Sequence, residues 1–276
     1  MKLSIITVNL NNAAGLQKTM ESVFCQTFTD YEYIIIDGGS TDGSKELIKK
    51  HENKFVYWVS ETDKGVYNAM NKGVIKAAGT HLLFLNSGDT LYTEHSLSDF
   101  FDHSNGEAIV YGNVYVIEKE REWIKAYPHK LSFGFFLRDA LHHQSTLIKR
   151  TIFEKGGLYD EGFKIVSDWK LLMNAICIDK VSYKYIDCCI STYPRDGFSS
   201  NPANIELFKM ERKAVVEEYY PLFIEDYEKA KETTLKLKEC EAALRNINAS
   251  RSYRFLRKIM NNPVVKTVTK SNGSGK

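Results

Sequence analysis

Paired-cysteine chemistry is missing from this sequence of 276 residues. Its five cysteines form an odd set without a CxxC pair, and two of them, Cys188 and Cys189, are adjacent. This pattern excludes a disulfide framework and offers no zinc-site spacing, so a reducing cytosol is the expected compartment. Long apolar runs are also absent, because no segment approaches the length that spans a bilayer. The chain passes from Met1 straight into an apolar strand without a signal-peptide pattern, which predicts a cytoplasmic protein, free or peripheral on the inner face of a membrane.

A charge excess of either sign is missing as well. The chain has 37 basic and 35 acidic side chains, and its formal net charge is +2. Upstream of about residue 240 the two signs are mixed, so nucleic acid is not an expected partner. No GxGxxG motif follows the early strands, which argues against a dinucleotide-binding Rossmann site. The hydrophobic fraction of 43% is sufficient for one substantial core with an appended tail.

Strand-forming and helix-forming segments alternate through the first third of the chain. Four short apolar runs, separated by helix-length segments, predict strands at Leu3–Val8, Tyr33–Ile36, Phe55–Val59 and His81–Leu85. The economical arrangement is an α/β fold with a mostly parallel central sheet flanked by helices. In such a sheet the polar loops that follow the strands meet at one edge, where ligands bind.

The rest of the chain predicts more strands and then a helical tail. Strands are expected at Ile109–Ile117, Trp123–Tyr127 and Val181–Ile186, around a helix near Val166–Ile178. We divide the chain into a main domain at 1–202, a C-terminal helical extension at 203–262 and a disordered tail at 263–276. Pro221 is expected to interrupt the helical extension.

Two features of the extension suggest partners. Apolar residues recur every seventh position at Phe223, Ala230, Leu237 and Leu244. This spacing is typical of a short coiled coil, which would form a homodimer, and equally of a helix packed on the domain. From Arg245 to Lys258 basic and apolar residues interleave. That segment fits an anionic membrane surface, and a solvated amphipathic end is the alternative.

Three acidic positions stand where loops follow predicted strands. Asp37, at the end of a buried strand, can accept hydrogen bonds from a base or ribose, although an ordinary turn uses the same residues. One of Ser40, Thr41 and Asp42 is expected to cap the next helix. Asp89 is the best candidate ligand for Mg²⁺ or Mn²⁺, which prefer carboxylates and substrate phosphates, and a turn is its alternative. Asp63 is the second acidic candidate, and its neighbour Lys64 is either a phosphate contact or a surface lysine.

Further candidates lie in the second half of the chain. His142 and His143 are expected to be adjacent on a strand, so their side chains would point to opposite faces. This arrangement argues against a dedicated zinc pair. By itself, Ser-Asp at 167–168 before an apolar helix is first an N-cap signal. Trp169 can stack on a sugar ring or pack in the core. Arg195, in a polar loop at 193–200, can reach a diphosphate when that loop closes.

Five segments together resemble the family 2 glycosyltransferases in their order and spacing: Ser4 to Asn9, Ile36 to Gly43, Asp63 to Gly73, Phe84 to Asp89 and Ser167 to Trp169. The resemblance covers roughly residues 3–200. It implies the glycosyltransferase A fold, a nucleotide-sugar donor, a divalent cation and an inverting single displacement. It therefore makes the main domain a catalytic domain.

The resemblance also implies roles for single residues. Thr7 and Asp37 would line the nucleoside pocket, and the remaining nucleotide-sugar contacts would be Asn9, Asp63, Lys64, Asn86 and Ser87. Asp89 would hold the metal, and Asp168 would be the base that takes the acceptor proton. His143 and Gln144 resemble the His-Gln pair that family members place near the acceptor or the diphosphate, and Trp169 and Arg195 are assigned to the same region.

The chain departs from the common family pattern in two loops. Gly38 stands where many relatives carry a second aspartate, and Asn86-Ser-Gly-Asp89 keeps only the last carboxylate of the usual metal loop. A subgroup that works on bacterial surface polysaccharides resembles this chain in the same loop and in its Tyr-Asn-Ala-Met-Asn-Lys-Gly helix. The segment Arg251 to Arg254 resembles an element that follows the catalytic domain in many such transferases, which favours a membrane-side acceptor.

These observations predict an inverting transferase that moves a sugar from a uridine-linked donor to a glycan or lipid-linked acceptor. Two alternatives stay open. A catalytically silent relative that binds a partner through its tail would explain the reduced acidic loop. A sugar nucleotidyltransferase would need a cation-bearing, glycine-rich phosphate loop near the N-terminus, and Asn9 to Gly15 contains no such cations.

Overall fold

Strand and helix alternate in the first part of the structure, which is a computed structural model that describes residues 2–195, 197–250 and 253. The elements up to the fourth strand are β1 (Leu3–Asn9), α1 (Ala13–Phe24), β2 (Tyr31–Asp37), α2 (Ser44–Lys50), β3 (Tyr57–Ser60), α3 (Val66–Lys76) and β4 (His81–Phe84). These four strands are parallel and lie in the order β3-β2-β1-β4. Every residue of β1 is buried, as expected for a central strand that is covered on both faces.

The second part of the structure adds mixed strands to the same sheet. Its elements are β5 (Thr90–Leu91), α4 (Ser96–Asp102), β6 (Ile109–Glu118), β7 (Arg121–Lys125), α5 (Phe133–Arg138), β8 (Thr146–Lys149), α6 (Arg150–Gly156), α7 (Ser167–Cys177) and β9 (Tyr183–Pro194). Strand β8 pairs antiparallel with β4 and β6, whereas β9 runs parallel to β6. The predicted α/β class is confirmed. The parallel arrangement predicted for the sheet is found in its first four strands.

Helix α1 shows how the core forms. Its apolar residues Leu16, Met20 and Val23 are spaced three and four apart, so they share one face, and all three are buried in the core cluster with β1 and β2. The helix begins after Asn12, whose side-chain oxygen accepts a hydrogen bond from the Gly15 amide. Asn12 is therefore the N-cap residue of α1.

A buried carboxylate connects the strands at their amino-terminal ends, opposite the polar loops that follow their carboxyl ends. Glu32 on β2 is 5% exposed. Its Oε1 accepts hydrogen bonds from the Ser4 hydroxyl at 2.5 Å, the Ala78 amide at 2.6 Å and the Gly79 amide at 3.2 Å. These bonds connect β1 and β2 to the turn that leads into β4, which fixes the positions of all three strands.

Two local predictions were wrong. Helix α2 is preceded by Gly43, and no side chain caps it as an N-cap residue. Asp42 instead accepts hydrogen bonds from the amide and the hydroxyl of Ser44, because Gly43 with φ of 95° turns the chain before the helix can begin. His143 is not on a strand either, since residues 143–145 form a single 3-10 turn before β8.

The remaining described elements are helical. Helix α8 (Ile205–Tyr219) and helix α9 (Ile224–Ala249) are separated by a 3-10 turn that begins at Pro221, as predicted. The chain divides into two compact units, one ending at Val215 and one beginning at Val216. The first unit thus includes most of α8. The domain boundary after residue 202 remains a prediction.

Helix α9 has 26 residues and is polar on most of its surface. Leu237 and Leu244 of the predicted heptad are more than half exposed, so pairing with a second copy stays a prediction. In the part of the chain that the structure describes, no helix combines the length and apolar character needed to cross a membrane. Half of the predicted basic segment at 245–258 and all of the tail at 263–276 lie outside the described residues.

Replacing Glu32 by alanine should destabilise the fold, because it leaves the buried Ser4 hydroxyl and the Ala78 amide without their acceptor. We expect the free energy of unfolding to fall by about 2–4 kcal/mol, measured by urea denaturation. The exposed Glu120 in the turn between β6 and β7 is a matched control, and Glu120→Ala should change stability by less than about 0.5 kcal/mol. Equal effects of the two substitutions would show that Glu32 does not anchor the strands.

Candidate active site

A cavity of about 840 Å³ opens where the polar loops meet, a size typical of small-molecule sites. Its walls come from the start of α3, the loop after β4, the segment between α5 and β8, the approach to α7, the end of β9 and one face of α8. The lining includes seven residues that the sequence predicted for the site: Lys64, Asn86, Ser87, Asp89, His143, Gln144 and Asp168. Trp169 and Arg195 are also among the lining residues.

Asp168 and His143 form an ion pair in this cavity. Asp168 lies in the first turn of α7, and its Oδ2 is 3.0 Å from Nδ1 of His143. The opposite ring nitrogen of His143, Nε2, lies 3.9 Å from Oδ2 of Asp89. One imidazole ring therefore separates the predicted base from the predicted metal ligand, so the structure brings these residues to one place.

The two groups shift each other's pKa in opposite directions. Burial alone raises the pKa of Asp168, but the hydrogen bond and charge of His143, with hydrogen bonds from Tyr67 and the Trp169 amide, outweigh it and hold the pKa below 3.8. Burial alone lowers the pKa of His143, but the hydrogen bond and charge of Asp168, together with the charge of Asp89, raise it above 6.5. An ionised carboxylate can only accept, so Nδ1 of His143 is the donor.

Tyr67 is a site residue that sequence reasoning missed. Its hydroxyl lies 2.9 Å from Oδ1 of Asp168 and 2.6 Å from the carbonyl oxygen of Ile165, and the side chain is buried. Burial and the charge of Asp168 raise the pKa of Tyr67 well above its ordinary value, so the phenol stays protonated and donates. The signal was present, because Tyr67 stands within the Asp63 to Gly73 segment that carried the resemblance.

The loop after β4 is held from beneath by α1. The Gly88 amide donates to Oγ1 of Thr19 at 3.0 Å, and that hydroxyl donates to the Asp89 carbonyl oxygen at 2.7 Å. Gly88 has φ of 111°, a backbone conformation that glycine adopts without strain. The turn lets Oδ2 of Asp89 accept the Asn86 amide at 3.0 Å, so the carboxylate is fixed at the cavity wall.

Several buried polar atoms of the cavity have no hydrogen-bond partner within the protein: Oδ1 of Asn86, Nε2 of His143 and Oε1 of Gln144. Unpaired buried polar groups are costly, and in native structures they commonly face a ligand. Asn86 and Asp89 present hard oxygens, which suit a divalent cation. Among the described residues no group of three or more His, Cys, Asp or Glu side chains is arranged to hold a metal. The loop therefore fits a cation that shares its ligands with a phosphate-bearing substrate.

The predicted nucleoside residues lie outside the cavity lining. Asp37 is fully buried, and its two oxygens accept four hydrogen bonds, from the Asn9 side chain, the Ser40 amide and hydroxyl, and the Ser60 hydroxyl. Burial raises the pKa of Asp37, but these hydrogen bonds outweigh it and hold the pKa below its usual value. All four lone-pair positions of the carboxylate are thus used. In this arrangement Asp37 joins the loops after β1, β2 and β3.

Of the other predicted nucleoside residues Thr7, Asn9 and Asp63, Asn9 contacts Asp37 directly, through its side-chain nitrogen at 2.7 Å. Thr7 is fully buried and shares a 2.9 Å hydrogen bond with the Tyr33 hydroxyl, while Oδ1 of Asn9 is buried without a partner. The carboxylate of Asp63 lies against Gly38, where an added Cβ would be 2.6 Å from Asp63 Oδ2. This contact explains the missing second aspartate, because a side chain at position 38 would displace Asp63. The nucleoside roles of these residues remain predictions.

The other predicted residues differ in how free they are to contact a ligand. Trp169 is 3% exposed, its indole nitrogen donates to the Phe136 carbonyl oxygen at 2.9 Å, and the Arg212 guanidinium lies 4.5 Å from its ring centre. Its ring is therefore packed, and stacking on a sugar would require Arg212 to move. Arg195 pairs with Glu118 at 3.1 Å and is partly exposed, whereas Lys64 is exposed at the cavity rim.

His142 differs from its neighbour in charge. Burial, the charge of Lys125 and the charge of His143 lower the pKa of His142 to about 3. Its Nδ1 forms a hydrogen bond with the Tyr127 hydroxyl, and its ring lies 5.1 Å from that of Tyr193. Near neutral pH His142 is thus neutral, whereas the pKa of the adjacent His143 is shifted in the opposite direction, above 6.5.

The fold is shared with known transferase structures. The chain superposes with a TM-score of 0.61 and 16% identity on S. aureus TarS 1-349 in complex with UDP-GlcNAc, over 76% of this chain and 65% of that fragment. It also superposes with a TM-score of 0.59 and 14% identity on the Pyrobaculum calidifontis mannosyltransferase PcManGT, over 99% and 88% of the two chains. The architecture is accordingly that of the glycosyltransferase A fold.

Sequence comparison then identifies the family. A sequence profile of glycosyl transferase family 2 matches residues 4–163. The chain is 31% identical over 206 residues to a PGL/p-HBAD biosynthesis glycosyltransferase of Mycobacterium bovis, which covers 72% of this chain and 78% of that protein. It is 25% identical over 224 residues to an uncharacterized glycosyltransferase of Rickettsia typhi, over 76% and 69% of the two chains. The chain belongs to glycosyl transferase family 2 and is a glycosyltransferase.

The His143–Asp168 pair should make stability depend on pH. The folded-state pKa of His143 is raised above 6.5. The stability that this residue contributes is therefore complete below about pH 6.5 and is lost as pH rises through the raised value. Because the pKa of Asp168 is lowered, the stability that this residue contributes is lost only as pH falls below about 3.8. We expect His143→Gln to lower stability by about 2 kcal/mol at pH 6 and by less at pH 9, measured by thermal unfolding.

The exposed His103, whose Nδ1 lies 2.9 Å from the Asp99 carbonyl oxygen at the end of α4, supplies a matched control for this measurement. His103→Gln should leave stability almost unchanged at both pH values. A His143→Gln deficit that is the same at pH 6 and pH 9 would contradict the ion pair.

Proposed function

We propose that this glycosyltransferase moves a sugar from a nucleotide-diphosphate donor, with uridine the expected base, to a hydroxyl of a glycan or lipid-linked acceptor, with inversion at the anomeric carbon. The observation that carries the proposal is the ionised Asp168 carboxylate beside the Asn86 to Asp89 loop, within one cavity. Two structures of the same fold support it, since TarS is complexed with UDP-GlcNAc and PcManGT with GDP-Man and Mn²⁺.

The donor diphosphate is assigned to the loop after β4. Asp89 and the unpartnered Oδ1 of Asn86 would hold Mg²⁺ or Mn²⁺ together with the diphosphate oxygens. A bound cation supplies charge stabilisation for the leaving diphosphate. Lys64 and Arg195, both on the cavity wall, add positive charge for the same anion. The nucleoside is assigned to the neighbouring region around Asp37 and Asp63.

Asp168 is assigned as the general base. Its Oδ1 accepts from Tyr67 and the Trp169 amide and its Oδ2 from His143, which occupies three of the four lone-pair positions of the carboxylate. The fourth position can accept the proton of an acceptor hydroxyl. As that proton moves to Asp168, the acceptor oxygen bonds to the anomeric carbon, and the bond from that carbon to the diphosphate breaks with its electron pair on the diphosphate.

His143 gives the base its charge and orientation. With Nδ1 donating to Asp168, the imidazolium keeps the carboxylate ionised and holds it in a fixed rotamer. Its Nε2 has no hydrogen-bond partner and points into the region between the two carboxylates, so it can donate to a diphosphate or sugar oxygen. Gln144, buried beside it with Oε1 unpartnered, offers an acceptor to a sugar hydroxyl.

The place of action is part of the proposal as well. A lipid-linked acceptor would bring the enzyme to the inner face of a membrane, and the basic segment at 245–258 would supply the attraction to anionic lipid. The relative in PGL/p-HBAD biosynthesis supports a role in a biosynthetic pathway. Homodimerisation through the helical extension is a separate proposal, for which Leu237 and Leu244 provide exposed apolar surface.

The substitution Asp168→Asn should reduce transfer by at least about 10³-fold while leaving nucleotide binding near normal, because the amide cannot take the acceptor proton. The measurement is product formation at saturating donor, with nucleotide affinity determined by calorimetry. Asp179→Asn, at an exposed position just after α7, is the control and should retain activity. Full activity of Asp168→Asn would remove this residue as the base, and an inactive wild-type enzyme with intact donor binding would favour a silent binding module.

The substitution Asp89→Ala should weaken nucleotide diphosphate binding in the presence of Mn²⁺ by about tenfold or more, because the cation loses its protein carboxylate. Thermal-shift titrations with uridine and guanosine diphosphates, each with and without Mn²⁺, measure this effect. We expect the wild type to be stabilised most by uridine diphosphate with Mn²⁺. Without Mn²⁺ the two proteins should respond alike, and an unchanged Mn²⁺-dependent shift in the variant would contradict the role of Asp89.

A further inference from the structure

Helix α8 contributes a buried carboxylate to the segment that precedes the base. Glu211 is 8% exposed. Its Oε1 accepts the Lys164 amide at 2.8 Å, and its Oε2 accepts the Ile165 amide at 2.9 Å. Two successive backbone amides are thus held by the two oxygens of one side chain, just before α7 begins at Ser167. Hydrogen bonds to an ionised carboxylate are shorter and stronger than neutral ones.

The same segment is held from its other side by Tyr67. The Ile165 carbonyl oxygen lies 2.6 Å from the Tyr67 hydroxyl, which also lies 2.9 Å from Oδ1 of Asp168. The amide of Ile165 is therefore fixed by Glu211, and its carbonyl is fixed by the residue that contacts the base. A path of polar contacts runs from Glu211 through Ile165 and Tyr67 to Asp168, in which the Tyr67 hydroxyl shares its one proton between the Ile165 carbonyl oxygen and Oδ1 of Asp168.

The next residue of α8 strengthens this attachment. The guanidinium of Arg212 lies 4.5 Å from the ring centres of both Trp169 and Phe208, and it donates to the Asp139 carbonyl oxygen at 3.0 Å. Trp169 follows Asp168 directly in α7. Consecutive residues of α8 thus contact the chain on both sides of Asp168, and they do so from beyond residue 163, where the family match ends.

We propose that Glu211 is a positioning residue for the transfer reaction, which sets the orientation of Asp168 through Ile165 and Tyr67. The inference rests on the proposed function, in which Asp168 takes the proton of the acceptor. A general base acts only within hydrogen-bond reach of that proton, and a misplacement of about 1 Å can reduce the rate about 10²-fold. The active site then extends into α8, so the first part of the helical extension belongs to the catalytic machinery.

The test is Glu211→Gln, which keeps the side-chain volume but replaces one of the two acceptor oxygens by an NH2 group. That group is a donor, so it cannot accept a hydrogen bond from the backbone amide that it faces. We expect kcat to fall about tenfold or more, while KM for the donor changes by less than about twofold. The acidic limb of the kcat profile should move to higher pH, because Asp168 loses hydrogen-bond support. Activity is expressed per folded enzyme, with the folded fraction measured by circular dichroism. The matched control is Glu206→Gln on the same helix, where Glu206 makes an exposed pair with Lys209.

A double-mutant cycle keeps the inference testable if Glu211→Gln is also less stable. Tyr67→Phe removes the hydroxyl that connects Ile165 to Asp168, so its effect on kcat and that of Glu211→Gln should be less than multiplicative in the double variant. Multiplicative effects, or a wild-type kcat and pH profile in Glu211→Gln, would overturn the inference. Failure of the proposed function looks different, because Asp168→Asn would then remain active whatever the result at Glu211.

Discussion

The partly buried ion pair between Asp168 and His143 is the interaction on which the site depends. Moving a carboxylate and an imidazolium out of water costs free energy, and mutual attraction offsets that cost only when the remaining hydrogen-bond positions are also used. Tyr67 and the Trp169 amide occupy such positions on Asp168. The result is a carboxylate that stays ionised at the wall of the cavity, with one acceptor position left for chemistry.

The aspartates of this protein show how environment separates structural from reactive carboxylates. Asp37 accepts four hydrogen bonds and joins three loops, so its lone pairs are used within the protein. Asp168 accepts three and lines the cavity. Both have a lowered pKa, so the direction of the shift alone does not distinguish them. The number of occupied lone-pair positions does, and it supports the proposal that the reaction takes place at α7 rather than at the end of β2.

Much of the fold was predictable from local pattern. Four apolar runs at helix-length spacing indicated a parallel sheet, and the loops after those strands do lie on one edge. Prediction failed where conformation is set by backbone sterics or by distant contacts. Gly43 in a left-handed conformation prevented the expected cap of α2, and His143 entered a 3-10 turn because the chain must bend before β8. Tyr67 was missed although its motif was recognised, because its partner Ile165 is 98 residues away.

The sequence by itself determined the family, the α/β class and the types of residue available for catalysis, because these follow from short-range periodicity and from motifs. Only the tertiary structure decided which side chains act together. His143 meets Asp168 and Asp89, Asp63 takes the space beside Gly38, and Glu211 reaches back to the segment before α7. Each of these contacts joins elements far apart along the chain. Their geometry is set by how sheet and helices pack, and no local pattern encodes that.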